Sequence, residues 1–121
     1  MNHKDLDVWK KSMDLVEVIY DFTKVFPEDE KFGLTSQMRR ASISIPSNIA
    51  EGAARKGDKE LIQFLMISIG SLSELETQYL ISIRLGFAHK NKVLEDALVE
   101  VKKLLLGFRN YLKKKIVKSE K

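Results

Sequence analysis

Apolar side chains recur along this chain at alternating spacings of three and four, the period of an α-helix that turns one face to a core. Leu6, Trp9, Met13, Val16, Tyr20 and Thr23 form the first stripe, widened by Leu15, Ile19 and Phe22, and Lys10, Asp14, Glu17, Asp21 and Lys24 fill the opposite face. This predicts a helix over about 5–25, closed by Phe26-Pro27, because proline pushes the residue before it out of the α region. Leu34, Met38, Ala41, Ile45 and Ile49 predict a second helix over about 34–54. Pro46 lies inside it and predicts a kink or break near Ile45, with Ser44 capping the second half, since proline removes one hydrogen bond and clashes with the carbonyl four residues back. A third stripe, Leu61, Leu65, Ser68, Leu72, Leu75 and Tyr79, spans about 58–86, with Asp58 as its N-cap and Gly86 as its stop.

The third segment carries a second seam, Ile62, Met66, Ile69, Leu80 and Ile83. Two apolar faces on one helix predict burial from two directions, and so a partner subunit as well as the other helices. Leu94, Ala97, Val101, Leu104, Phe108 and Tyr111 predict a fourth helix over about 91–116, capped by Asn91 and ending in lysines. No segment alternates as a strand does. Four long helices with short connections make an all-α, up-down-up-down four-helix bundle, one domain over 1–121.

Composition narrows the chemistry. The 121 residues include no Cys and two His, which excludes a disulfide framework, a thiolate metal site and cysteine catalysis. Leu61 to Leu72, the longest apolar run, is too short for a bilayer, which needs about 20 residues, and the N-terminus MNHKDLDVWKK has no signal-peptide pattern. The expectation is a cytoplasmic protein with no membrane contact. His3 and His89 have no carboxylate or hydroxyl placed beside them by the sequence and read as surface histidines. Neither a Glu-x-x-His pair nor a glycine-rich phosphate loop occurs, so no catalytic residue, metal or cofactor is expected.

Charge is distributed unevenly. The total is +4, but residues 1–30 carry net −4, residues 31–60 net +3 and residues 93–121 net +4. Arg39, Arg40, Arg55, Lys56 and Lys59 in the middle, and Lys113, Lys114 and Lys115 opening the basic tail 113–121, are the candidate nucleic-acid-binding residues. Along 37–57, Gln37, Arg40, Ser44, Ser47, Asn48, Glu51 and Arg55 trace a polar seam at helical spacing, which faces water, bonds across a subunit interface or meets phosphates. Glu74 and Glu76 interrupt the apolar third helix, which predicts that at least one is partly buried against a cation. Gln37, Ser44, Pro46, Asn48, Glu51, Glu74 and Glu76 are the candidate structural or interface residues.

The string QMRRASISIPSNIAEG, with DLDVWKKSMDL and FPEDEKFGLTSQ before it and GSLSELET after it, resembles the four-helix-bundle proteins encoded within intervening sequences of bacterial 23S ribosomal RNA genes. The resemblance covers nearly the whole chain in the same order. It implies a ring-like homopentamer with no enzymatic activity assigned. Accessory proteins of diversity-generating retroelements look like relatives, and through them the resemblance implies a basic surface for nucleic acid and for a protein partner. Carried onto this sequence, the motif points to Arg39, Arg40, Asn48, Glu51 and Arg55. The two readings that follow are a homo-oligomer that binds RNA or DNA, and an interaction scaffold whose Arg/Glu seam holds subunits together.

Overall fold

The structure is a computed structural model and describes residues 1–120. Four helices, α1 (Asp7–Thr23), α2 (Leu34–Ala53), α3 (Asp58–Arg84) and α4 (Lys92–Ser119), follow one another with 3-10 turns at His3–Asp5 and Glu28–Glu30. Among the described residues there is no strand. Helix α1 packs on α2 and α4, and α3 packs on α2 and α4. The helices therefore stand at the corners of a square in chain order, with α1 diagonal to α3.

One continuous core runs down the axis, centred on Leu15, Ile19, Met38, Ile45, Ile49, Leu65, Leu75, Leu94, Leu105 and Leu112. Removing such a side chain from water contributes about 1.5–3 kcal/mol. On α1 the buried residues are Val8, Ser12, Leu15, Ile19, Phe22 and Thr23, whereas Met13 and Tyr20 are exposed. Of the arc expected from sequence, Leu15, Ile19, Phe22 and Thr23 are core, while Trp9, Met13 and Val16 flank it and border a groove toward α2. Apolar residues span so wide an arc of α1 that spacing alone does not single out its centre. On α4 the buried line is Leu94, Leu98, Val101, Leu105 and Leu112, and the expected Leu104, Phe108 and Tyr111 lie to one side of it, with Tyr111 60% exposed.

Helix α2 runs through Pro46 without a break. Ser44 consequently caps nothing and hydrogen-bonds Ser71 across the α2–α3 contact at 2.9 Å. That contact is tight because its residues are small: a Cβ on Gly52 would lie 2.8 Å from Leu61 Cδ1 and from Phe64 Cβ. Ser68, fully buried, donates to the Ile45 carbonyl at 2.9 Å, which supplies the partner a buried hydroxyl needs. The second seam of α3 is covered in part by this chain's own core, which packs Ile62, Ile69 and Ile83 while Met66 and Leu80 stay exposed.

The ends of the helices follow local chemistry. Gly57, not Asp58, is the N-cap of α3, and Asp58 is its first helical residue, a position where a carboxylate meets the positive end of the helix dipole. Helix α3 stops at Gly86, whose φ of 74° suits a residue without Cβ. Gly86 N donates to Ile83 O and Phe87 N to Ser82 O, the paired bonds that close a helix with a left-handed glycine. Asn91 caps α4, its side-chain oxygen accepting from Leu94 N at 3.0 Å. Beneath these turns Phe22, Phe26, Phe87 and Tyr79 form an aromatic cluster with ring centroids 5.3–5.7 Å apart.

Candidate functional site

Antiparallel packing brings the C-terminus of α2, the start of α3 and the last turns of α4 to one end of the bundle. Lys115 Nζ lies 3.2 Å from Asp58, and Lys59 Nζ lies 3.1 Å from Glu120. Two basic segments that are some sixty residues apart in sequence thereby become one surface: Arg55, Lys56 and Lys59 on one side, Lys113, Lys114, Lys115 and Lys118 on the other. Arg55 bonds Glu51 at 2.7 Å and lies 4.9 Å from the centre of the Phe64 ring. Lys56, Lys113, Lys114 and Lys118 are exposed and form no ion pair among the described residues. The three ion pairs that do occur here are solvent-exposed to a large degree, and such pairs are worth about 0–1 kcal/mol, so these cations exchange readily onto other anions.

The arginine pair of α2 is divided by the helix turn. Arg39 is drawn against α1, where its Nε donates to Thr23 Oγ1 at 2.9 Å and its guanidinium lies 4.5 Å from the Tyr20 ring centre. Arg40 is exposed and makes no hydrogen bond or ion pair among the described residues. Neither arginine lies at the basic end. In the polar seam, Asn48 donates to Ser44 O at 2.8 Å and to Ser44 Oγ at 3.0 Å, so Ser44, Asn48 and Ser71 form one network. Gln37 and Glu51 are exposed, and Pro46 is buried beside the α1–α2 groove.

Glu74 and Glu76 are both exposed, and neither pairs with a cation among the described residues. Within the chain the expected partly buried ion pair does not form: both carboxylates lie on an exposed face of α3, and Glu74 accepts from Gln78 Nε2 at 3.1 Å. Gln78 is buried, and its Oε1 has no partner. His3 packs edge-on against Trp9 at 5.1 Å, and His89 is exposed.

Two features of the other end were not singled out from sequence. Tyr79 donates to Glu95 Oε2 at 2.6 Å and accepts from Asn91 N at 2.8 Å. Burial, reinforced by the bond to Glu95, raises its pKa above the ordinary 10.0. Beside it, between α3 and α4, opens a largely apolar cavity of about 720 Å³ walled by Leu80, Ile81, Ile83, Leu98 and Val99. Among the described residues no group of three His, Asp or Glu is placed to hold a metal ion, and no helix is long and apolar enough to cross a membrane.

The sequence profile of the 23S rRNA-intervening sequence proteins matches residues 4–107. No curated protein sequence matches the chain. The crystal structure of a protein of unknown function from the S23 ribosomal protein family of Bacteroides thetaiotaomicron VPI-5482 is similar, with a TM-score of 0.74 and 24% identity over 84% of this chain and 97% of that one. That likeness is one of fold. With the profile match running from the turn before α1 to past the middle of α4, the chain belongs to the 23S rRNA-intervening sequence protein family.

Proposed function

We propose that this chain is a non-enzymatic, homo-oligomeric helical bundle of the cytoplasm that associates with RNA or DNA through the basic end of the molecule. The observation that carries the reading is the convergence of Arg55, Lys56 and Lys59 with Lys113, Lys114, Lys115 and Lys118, joined by the contacts Lys115–Asp58 and Lys59–Glu120. Cations gathered this way neutralise phosphates and release their counterions, which gives affinity without sequence readout. Filter binding of a structured ribosomal RNA fragment over a salt series tests it. Affinity falls linearly on logarithmic axes, and replacing Lys56, Lys113 and Lys114 by Gln lowers the slope by about one for each lysine. No binding at low salt, or an unchanged slope, removes the reading.

Assembly from copies of the chain is supported by two unlike apolar surfaces. The outer face of α3 presents Ile67, Gly70 and Ile81, with the α3–α4 cavity alongside, and the α1–α2 groove lies on the opposite side of the square with Trp9, Met13, Ile43 and Pro46. Unlike surfaces joined head to tail generate a ring where the rotation between copies closes, as in the pentamer that the family resemblance implies. The second reading, an interaction scaffold, is favoured by Arg40 and Glu74, both exposed and without ion pairs inside the chain. On that reading Arg40→Ala or Glu74→Ala dissociates the oligomer in light scattering and the wild type has no affinity for RNA.

A further inference from the structure

We infer that Tyr111 is a stacking platform for an unpaired base, so that the basic end takes single-stranded nucleic acid in preference to a duplex. The inference rests on the nucleic-acid reading above and assigns its class of ligand. Helix α4 outruns its neighbour: Leu6, Asp7 and Val8 at the start of α1 face Lys103, Leu104, Gly107 and Phe108, and α4 continues to Ser119, about 15 Å further at 1.5 Å per residue. Leu104 and Phe108 are half-covered by α1. Tyr111, the next residue along that side, is beyond its reach and 60% exposed. Its hydroxyl makes no hydrogen bond among the described residues.

The surroundings of the ring fit a base. Gly107 sits one turn before it, and nothing lies within 4 Å of where a Cβ would be, so the approach to the ring is open on that side. One and two turns after it, Lys114, Lys115 and Lys118 share its face at i+3, i+4 and i+7, close enough for side chains to act together. An aromatic ring flanked by cations is the combination that holds single strands, because every base has a π-face and every nucleotide a phosphate. In a duplex the bases are stacked on one another and are out of reach of the ring. Phe32 is the contrasting case: it is 90% exposed with Lys31 Nζ 5.7 Å from its ring centre, but it follows Glu28, Asp29 and Glu30, which outnumber that one cation and disfavour a phosphate.

Fluorescence anisotropy at low salt with a labelled unstructured strand of about 16 nucleotides, the same strand annealed to its complement, and an abasic strand of equal length tests the assignment. The wild type binds the strand with bases about tenfold more tightly than the abasic strand. Tyr111→Ala brings the two together while leaving duplex affinity and the circular-dichroism melting curve unchanged, Tyr111→Phe retains the difference, and Phe32→Ala has no effect. If Tyr111→Ala leaves single-strand affinity intact, or lowers single-strand and duplex affinity equally, stacking is overturned while the basic end still stands as a phosphate site. Absence of binding to all three ligands overturns both readings together.

Discussion

At the scale of residues, the polar groups of this bundle are placed by how far water reaches them. Ser12, Thr23, Ser42, Ser68 and Ser82 are buried, and each hydroxyl donates to a backbone carbonyl at 2.6–2.9 Å, so their polarity costs little. Tyr79 is the buried group that titrates. Its raised pKa means that above pH 10 the unfolded chain loses the phenolic proton before the folded one does. Fewer protons are then bound in the unfolded state, so this contribution to stability is complete below the unfolded pKa and is lost as pH rises through the folded one. The comparison is with Tyr79→Phe, which removes the phenolic proton and nothing else that ionises. In thermal melts followed from neutral pH to above pH 10, the wild type loses melting temperature more steeply than Tyr79→Phe. Parallel curves for the two proteins remove the proposed role of burial at Tyr79.

Elements begin and end in this chain where short-range chemistry tells them to, and most of those signals are readable. Gly86 and Asn91 were expected to stop α3 and start α4, and both do. Asn91 is held twice, since its side chain caps Leu94 N and its own N–H is bound by the Tyr79 hydroxyl. Asn91→Ala removes the cap and costs about 1 kcal/mol, measured as a lower denaturant midpoint at unchanged slope. A loss within error would mean that the Tyr79 bond alone suffices to start α4. Legibility failed where two helices settle a question jointly. Pro46 does not break α2, and of the wide apolar arc on α1 Leu15, Ile19, Phe22 and Thr23 go inside while Met13 and Tyr20 stay exposed, a choice made by packing against α2 and α4.

At the scale of the whole molecule, basic clusters from distant segments meet at one end and apolar side chains are exposed on two sides. The basic end draws on α2, α3 and α4 together, whereas the acidic turn Glu28–Glu30 lies where α1 passes to α2, at the other end. Across the width, Ile81 is 41% exposed in the last turn of α3, on the surface proposed above to meet a neighbouring subunit. A carboxylate there is buried unpaired on assembly, which is costly, but remains in water in the free chain. Ile81→Asp therefore reduces the light-scattering mass to that of a single chain and leaves the helical circular-dichroism spectrum unchanged. A full-size Ile81→Asp oligomer would exclude this face from the interface. Hydrophobic period, caps and the scarcity of proline were enough to specify four helices, their order and the absence of strands, since these depend on neighbours three or four residues away. Which cations share a surface, which side of α1 is core, that Glu74 and Glu76 face water and that Tyr111 stands clear of α1 all depend on helices of unequal length packed antiparallel. Contacts between residues dozens of positions apart set those outcomes, and helical spacing carries no record of them.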